Sequence, residues 1–332
     1  MKAGIVRQSV LIGLLVTLVL VSALGAVTEK GSEPVATFSI VGFDPETGDL
    51  GIAVASKFLA VGSVVPWAKA GIGAIATQAY ANTTYGPKGL ELLASGLTAQ
   101  QTLNNLLAAD EGRETRQVGI VDAKGEAVTC TGKGCNAWAG GKTGKHYACQ
   151  GNILVSEATV TALATAFESS EGDLAVRLVK ALKAGEQAGG DSRGKQSAAL
   201  LVVREGGGFL GLNDRYIDLR VDDHPEPIDE LSRLLSLQMA YSALYRAGAL
   251  RQEGKLDAAI AELKKASEAS PNSPEVAYDL ACYYSLAGMK AQALDTLRKA
   301  LTLAPSFKKM ARDDADLAPL RDEETFKKML GE

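Results

Sequence analysis

Histidine is close to absent: among 332 residues only His146 and His224 carry an imidazole. A Ser-His-Asp triad would have to draw on one of these two, and neither lies beside a nucleophile motif, so catalysis through histidine is disfavoured. Aromatic side chains make up 5% of the chain against 35 glycines. Layers must therefore close through Ala and Gly, which lets backbone approach backbone or a ligand. Basic excess is lacking too. Lysine and arginine total 35 against 39 acidic residues, a net charge of -4, which leaves no field to attract nucleic acid. Cysteine is limited to Cys130, Cys135, Cys149 and Cys282. In an oxidising compartment the expected use is a disulfide among the first three, with Cys130 to Cys149 the preferred pair. The competing use, a zinc site from Cys130, Cys135, Cys149 and His146, lacks a Cys-x-x-Cys knuckle. The Gly-x4-Gly-Lys-Ser/Thr spacing of a P-loop is missing as well. Neither a metal nor a cofactor is expected.

What is present begins with a targeting pattern. Lys2 and Arg7 precede an apolar run from Val10 to Val21, and Ala23-Leu24-Gly25 supplies small residues for cleavage before Ala26. Residues 1–25 thus read as a signal peptide, with the rest exported to the periplasm or beyond. Counted generously from Ile5 to Val27 the apolar stretch reaches a bilayer span, so an uncleaved N-terminal anchor is the alternative.

From Thr37 to about Asp222 strand-like and helix-like stretches come in groups. Two strands, Thr37–Asp44 and Asp49–Lys57, flank the turn Asp44-Pro45-Glu46-Thr47-Gly48, and Val61–Pro66 and Gly73–Tyr80 read as further extended runs. Helical patterns follow over Pro87–Ala94 and Thr98–Ala108, then a hairpin over Arg116–Thr131, helices over Ser156–Glu168 and Asp173–Lys183, and strands over Ser197–Val203 and Tyr216–Val221. Paired strands interrupted by paired helices, with near-continuous apolar runs in the strands, predict two facing sheets with helices outside. From Ile228 onward the period is helical. Gly254–Ile260 aligns with Gly288–Leu294 at an offset of 34 that also relates Leu263 to Leu297, Ala266 to Ala300 and Pro271 to Pro305. That is the length and pattern of tetratricopeptide helix pairs. So short an array needs neighbouring helices to bury its faces, and it suits either protein binding or structural support. The expected division is residues 36–227 for the layered domain and 228–332 for the helical one.

Chemistry concentrates at the start of the first hairpin. Thr37 and Ser39 share a strand face, and Ser56 and Lys57 end the neighbouring strand close by. A hydroxyl beside an amine is one way to build a nucleophile; the plainer use is half-buried strand hydroxyls and a solvated lysine. The loop Gly189-Gly190-Asp191-Ser192-Arg193-Gly194-Lys195-Gln196 could turn backbone N–H groups inward and, with Arg193 and Lys195, cradle an anion. A tight structural turn is the competing role.

The runs Phe38–Ser56, Ala60–Pro66, Ala74–Gln78, Gln150–Leu154 and Ala188–Ser197 together resemble a prokaryotic family of unknown function, domain-of-unknown-function family 1028, across about Ala36 to Leu234. That resemblance implies an α+β, four-layer αββα sandwich similar to the N-terminal-nucleophile (Ntn) hydrolases, here followed by an α-helical tetratricopeptide-like domain. It implies Thr37 as nucleophile, Lys57 and Asp191 tuning its protonation, and Ser197 beside it; with the hairpin and loop read above, Ser39, Ser56, Thr77, Arg193, Lys195 and Ser197 are the expected binding residues. An Ntn nucleophile must be the first residue, because its own α-amine is the base, so a cut after Ala36 is required. The implied activity is hydrolysis of a small amide or peptide. The alternative is a silent ligand-binding sandwich carrying a helical scaffold for a protein partner, with homo-oligomers through the outer helices.

Overall fold

The computed structural model describes residues 37–331. Residues 1–25, read above as a signal peptide, lie outside the described part.

Among the described residues, ten strands form two antiparallel sheets. The larger has the order β10-β9-β2-β1-β8-β7 and the smaller β3-β4-β5-β6. In chain order these are β1 (Thr37–Phe43), β2 (Leu50–Ser56), β3 (Pro66–Lys69), β4 (Gly73–Ala79), β5 (Arg116–Asp122), β6 (Ala127–Thr131), β7 (Gly140–Gly144), β8 (Tyr147–Asn152), β9 (Ser197–Val203) and β10 (Arg215–Val221). The β1–β2 turn closes as its residues dictate: Gly48 adopts φ 76°, where a side chain would be strained, and Asp44 Oδ1 accepts from the Glu46 amide. Val61–Pro66, read above as extended, is instead a 3-10 turn over Val61–Ser63, with β3 starting at Pro66. Ser197 accounts for the difference, because its hydroxyl captures the Val61 amide that a strand would spend on a neighbour.

Helices α1 (Tyr85–Ala94) and α2 (Ala99–Ala108) cover the outer face of the smaller sheet, and α3 (Ala158–Ser169) and α4 (Leu174–Gln187) that of the larger. Helix α2 starts with a capping box in which Thr98 and Gln101 satisfy each other's backbone N–H groups. Strand alternation builds three cores. Val41, Ile52 and Val54 meet Ala74, Ala76 and Val121 between the sheets. Phe38, Ile40 and Ala55 point the other way, into Leu163, Phe167, Leu178 and Leu182 of α3 and α4. Ile75, Val118 and Ile120 pack under α1 and α2 with Leu103 and Leu106. The result is the four-layer αββα arrangement the periodicity predicts.

A single helix, α5 (Pro227–Gln252), carries the chain onward. Its first turns place Ile228, Leu231 and Leu235 in the core beneath the larger sheet, and Ala247 in the core of the helical region. Two helix pairs follow, the end of α5 with α6 (Leu256–Ala269), then α7 (Pro274–Leu286) with α8 (Lys290–Leu303). Gly254 and Gly288 occupy matching turns at φ 76° and 73°, and Ala259, Ala266, Ala293 and Ala300 are all buried at the helix contacts. After the repeats the chain forms α9 (Phe307–Asp313), a 3-10 stretch over Ala315–Leu320 that contains Pro319, and α10 (Glu324–Leu330). Proline lacks the amide a continuous helix needs there.

The expected Cys130–Cys149 disulfide does not form, and all four cysteines are free thiols. Cys149 points from the larger sheet into the core under α3 and α4, while Cys130 points from the smaller sheet toward α1 and α2. Both sheets therefore stand between them, far beyond the reach of an S–S bond.

Candidate functional site

Register lines up a row of polar side chains at one end of the larger sheet. Thr37 of β1 is paired with Asn152 of β8 on one side and Ser56 of β2 on the other, and Ser56 is paired in turn with Ser197 of β9. Directly opposed residues of antiparallel strands point to the same face, so all four side chains look toward the smaller sheet. All are buried, Thr37 fully (0% exposed). The Thr37 hydroxyl donates to Ser56 Oγ at 3.2 Å. Ser197 Oγ donates to the Phe58 carbonyl and accepts from the Val61 amide, so it holds the loop that leaves β2.

Carboxamides from both sheets extend this row inward. Ser39 Oγ donates to Gln78 Oε1 at 2.6 Å and accepts from Gln150 Nε2 at 2.7 Å. Gln78 of β4 also donates to the Thr37 carbonyl at 3.2 Å and to Gln117 Oε1 at 2.8 Å. Gln117 of β5 accepts a second bond from Asn152 Nδ2 at 3.0 Å and donates to the Gly151 carbonyl at 2.7 Å and Thr131 Oγ1 at 2.8 Å. Gly119 makes room, since a Cβ there would lie 2.2 Å from Gln150 Oε1. Gln78, Gln117 and Gln150 are fully buried. These amides are functional candidates that the sequence reading passed over. Their signal was a glutamine within an otherwise largely apolar strand, three times.

The remaining expected residues fall into two groups. Asp191, bridged to Leu154, acts as a clasp: Oδ2 accepts from the Lys57 amide at 2.9 Å, and the Arg193 guanidinium grips both oxygens, at 3.2 and 2.9 Å. Asp191 thus fixes the end of β2 one residue beyond Ser56. The Lys57 ammonium reaches the Lys195 carbonyl at 3.2 Å and not the Thr37 hydroxyl; strand alternation turns residue 57 away from the face that Ser56 uses. Lys195 is paired with Glu186 at 3.1 Å and also with Glu226. The Glu226 hydrogen bond raises the pKa of Lys195, and burial raises that of Glu186 against the opposing effect of Lys195. With Arg193 and Lys195 both neutralised by carboxylates, the 189–196 loop is a structural clasp and lacks the open positive charge of an anion cradle. A small cavity of about 100 Å³ lies beside it, lined by Phe38, Ala55, Ser56, Glu186 and Lys195. Thr77 takes no part, because it faces α1 and its hydroxyl donates to the Asn82 carbonyl. The alternative zinc ligands are not brought together either, since Cys130 and Cys149 point to opposite outer layers.

A family model described as a family of unknown function (DUF1028) matches residues 37–231, and a tetratricopeptide repeat model matches residues 250–312. Among solved structures, the chain is similar to a Silicibacter pomeroyi protein whose crystal structure carries the same family model, with 34% identity and a TM-score of 0.56 over 60% of this chain and 84% of that one. No curated protein matches. The repeats are of a type associated with protein–protein interaction.

Proposed function

The chain belongs to the DUF1028 family, and on that premise we propose that it is the folded precursor of an exported amide-bond hydrolase whose nucleophile is Thr37. One observation carries the reading: Thr37 heads a central strand on the face between the sheets, its hydroxyl 3.2 Å from Ser56 Oγ and its carbonyl held by Gln78. In the intact chain the Thr37 hydroxyl is sealed from solvent (0% exposed) and its nitrogen is an amide that cannot serve as a base, so both have to be freed before it can act. Hydrolysis of the Ala36–Thr37 bond adds water, leaves a carboxylate on Ala36 and frees an amine whose pKa falls about 7.7 to 8.0. That amine takes the hydroxyl proton as Oγ1 attacks a substrate carbonyl. The tetrahedral adduct collapses to an ester as the substrate's amine leaves with that proton, and water then cleaves the ester, releasing the substrate's acid and restoring Thr37. Ser56 fixes the hydroxyl's direction. Asp191 and the Lys57 amide fix Ser56, and neither charged group touches Thr37.

The test is N-terminal sequencing and intact-mass analysis of the exported protein, with hydrolysis of acyl-anilides followed in parallel. The expected result is a species beginning at Thr37 that is active, with Thr37→Ser retaining activity and Thr37→Ala losing at least about a thousandfold. A Thr37→Ala protein as active as wild type removes the proposal.

A second role rests on a different surface. Leu237, Tyr241 and Tyr245 form an exposed stripe on α5, with Tyr245 66% exposed, where the helix enters the repeats. Such spacing suits a partner helix or peptide. Cross-linking in the native extract is expected to yield a specific adduct that Tyr241→Ala with Tyr245→Ala abolishes.

A further inference from the structure

The larger sheet has two more strands than the smaller; β3 lies against β2 and β9, so the face of β10 that looks toward the smaller sheet runs past this edge strand. A cleft of about 370 Å³ occupies that overhang. Leu201 and Val203 of β9 form one apolar wall and Trp67 of β3 another. Trp67 is closely packed: its ring lies against α1 so that a Cβ on Gly86 would approach it to 2.2 Å, and its Nε1 donates to the Val64 carbonyl.

Strand β10 alternates as an open face requires. Ile217, Leu219 and Val221 pack on the helix side, while Arg220 lines the cleft with Arg215 and Lys69. The Arg220 stem lies over Gly62, where a Cβ would sit 3.1 Å from its Cγ. Arg215 and Arg220 share one carboxylate, Asp218, and Asp214 is the other acid at the cleft. Lys69 has no ion-pair partner among the described residues. Three cations against two carboxylates leave the cleft positive beside an apolar aromatic wall.

We propose that this cleft binds a small organic anion with a planar apolar body: a carboxylate held by Lys69 and Arg220, its flat part against Trp67, Leu201 and Val203. The volume suits a compact ligand. An extended peptide is disfavoured as occupant, because β3 has only four residues and starts with Pro66, both poor features for strand addition. Bare phosphate would leave the apolar wall unused. The site is separate from the Thr37 row and does not depend on the hydrolase reading.

Calorimetric titration of the full chain with trans-cinnamate, its neutral analogue trans-cinnamamide, and inorganic phosphate tests the assignment. Cinnamate is expected to bind with Kd on the order of 0.1 to 1 mM, and cinnamamide and phosphate at least about tenfold more weakly. Lys69→Gln with Arg220→Gln, checked for unchanged melting, is expected to weaken cinnamate by about tenfold and to remove its salt dependence. Equal binding of cinnamamide, unchanged binding by the double variant, or no cinnamate binding at all overturns the proposal.

Discussion

The two halves of the molecule bury polarity in opposite ways. Between the sheets the buried groups are neutral, and hydroxyls and carboxamides donate and accept around Gln78 and Gln117. In the helical region a buried thiol meets half-buried carboxylates: Cys282, Asp314 and Asp316 gather with their ligand atoms within 4.8 Å, and Asp279 lies nearby on α7. Tyr278 and Cys282 both donate to Asp314, and Arg251 pairs with Asp316. A neutral network holds the same geometry at any ordinary pH, whereas a cluster of carboxylates changes its energy each time a proton arrives. The sandwich is therefore built for fixed geometry, and the repeats carry a dependence on solution conditions.

The sharpest way to break this contrast is Gln117→Leu. It removes the acceptor of Gln78 and Asn152 and the donor to Gly151, leaving buried partners unmatched at about 1–3 kcal/mol each. A loss of roughly 4 kcal/mol is expected in urea unfolding, equal at pH 5 and pH 8 because nothing in the network titrates there.

Asp279→Asn should behave in the opposite sense. Burial first, then Asp314, pushes the Asp279 pKa up from 3.8 to about 6. The folded state thus holds the proton more tightly than the unfolded state does, and the stability this group contributes is present below pH 3.8 and lost as pH rises through about 6. The asparagine variant is expected to be more stable than wild type at pH 7.5, by about 1 kcal/mol after allowing for solvent screening, with the gain gone at pH 4. Thermal melts at the two pH values measure it.

An effect of similar size at each site tests whether the two repeats are equivalent. Gly254 and Gly288 share a left-handed conformation, and a Cβ would meet nothing within 4 Å at either. Gly254→Ala and Gly288→Ala should each cost about 1 kcal/mol from backbone strain alone, and the double variant should cost their sum.

How far the sequence carried this picture depended on the range of the signal. Local signals were legible: the Asp44–Gly48 turn, the helix over Thr98–Ala108, and the repeat marked by Gly254 and Gly288. So was the layering, because apolar strands flanked by amphipathic helices admit few packings. The meeting of Thr37 with Ser56 followed from hairpin geometry. The carboxamide cluster did not, because Gln78, Gln117 and Gln150 come from three separate strands and converge only when the sheets stack. Lys57 misled for a simpler reason: its nearness to Thr37 in the hairpin says nothing of direction, and alternation sends its ammonium to Lys195. The glycine-rich strand β7 carried too little side-chain pattern to be seen, and the paired charges of the 189–196 loop depend on Glu186 and Glu226, one in α4 and the other just before α5.

Helix α5 has a consequence for anyone who would take the protein apart. Ile228, Leu231 and Leu235 close the underside of the larger sheet, so a gene truncated at residue 227 would strip a roof from the sandwich and expose greasy surface to water. A clean separation has to leave these turns with the N-terminal half, placing the scissors inside a rod of 26 residues where no loop invites them.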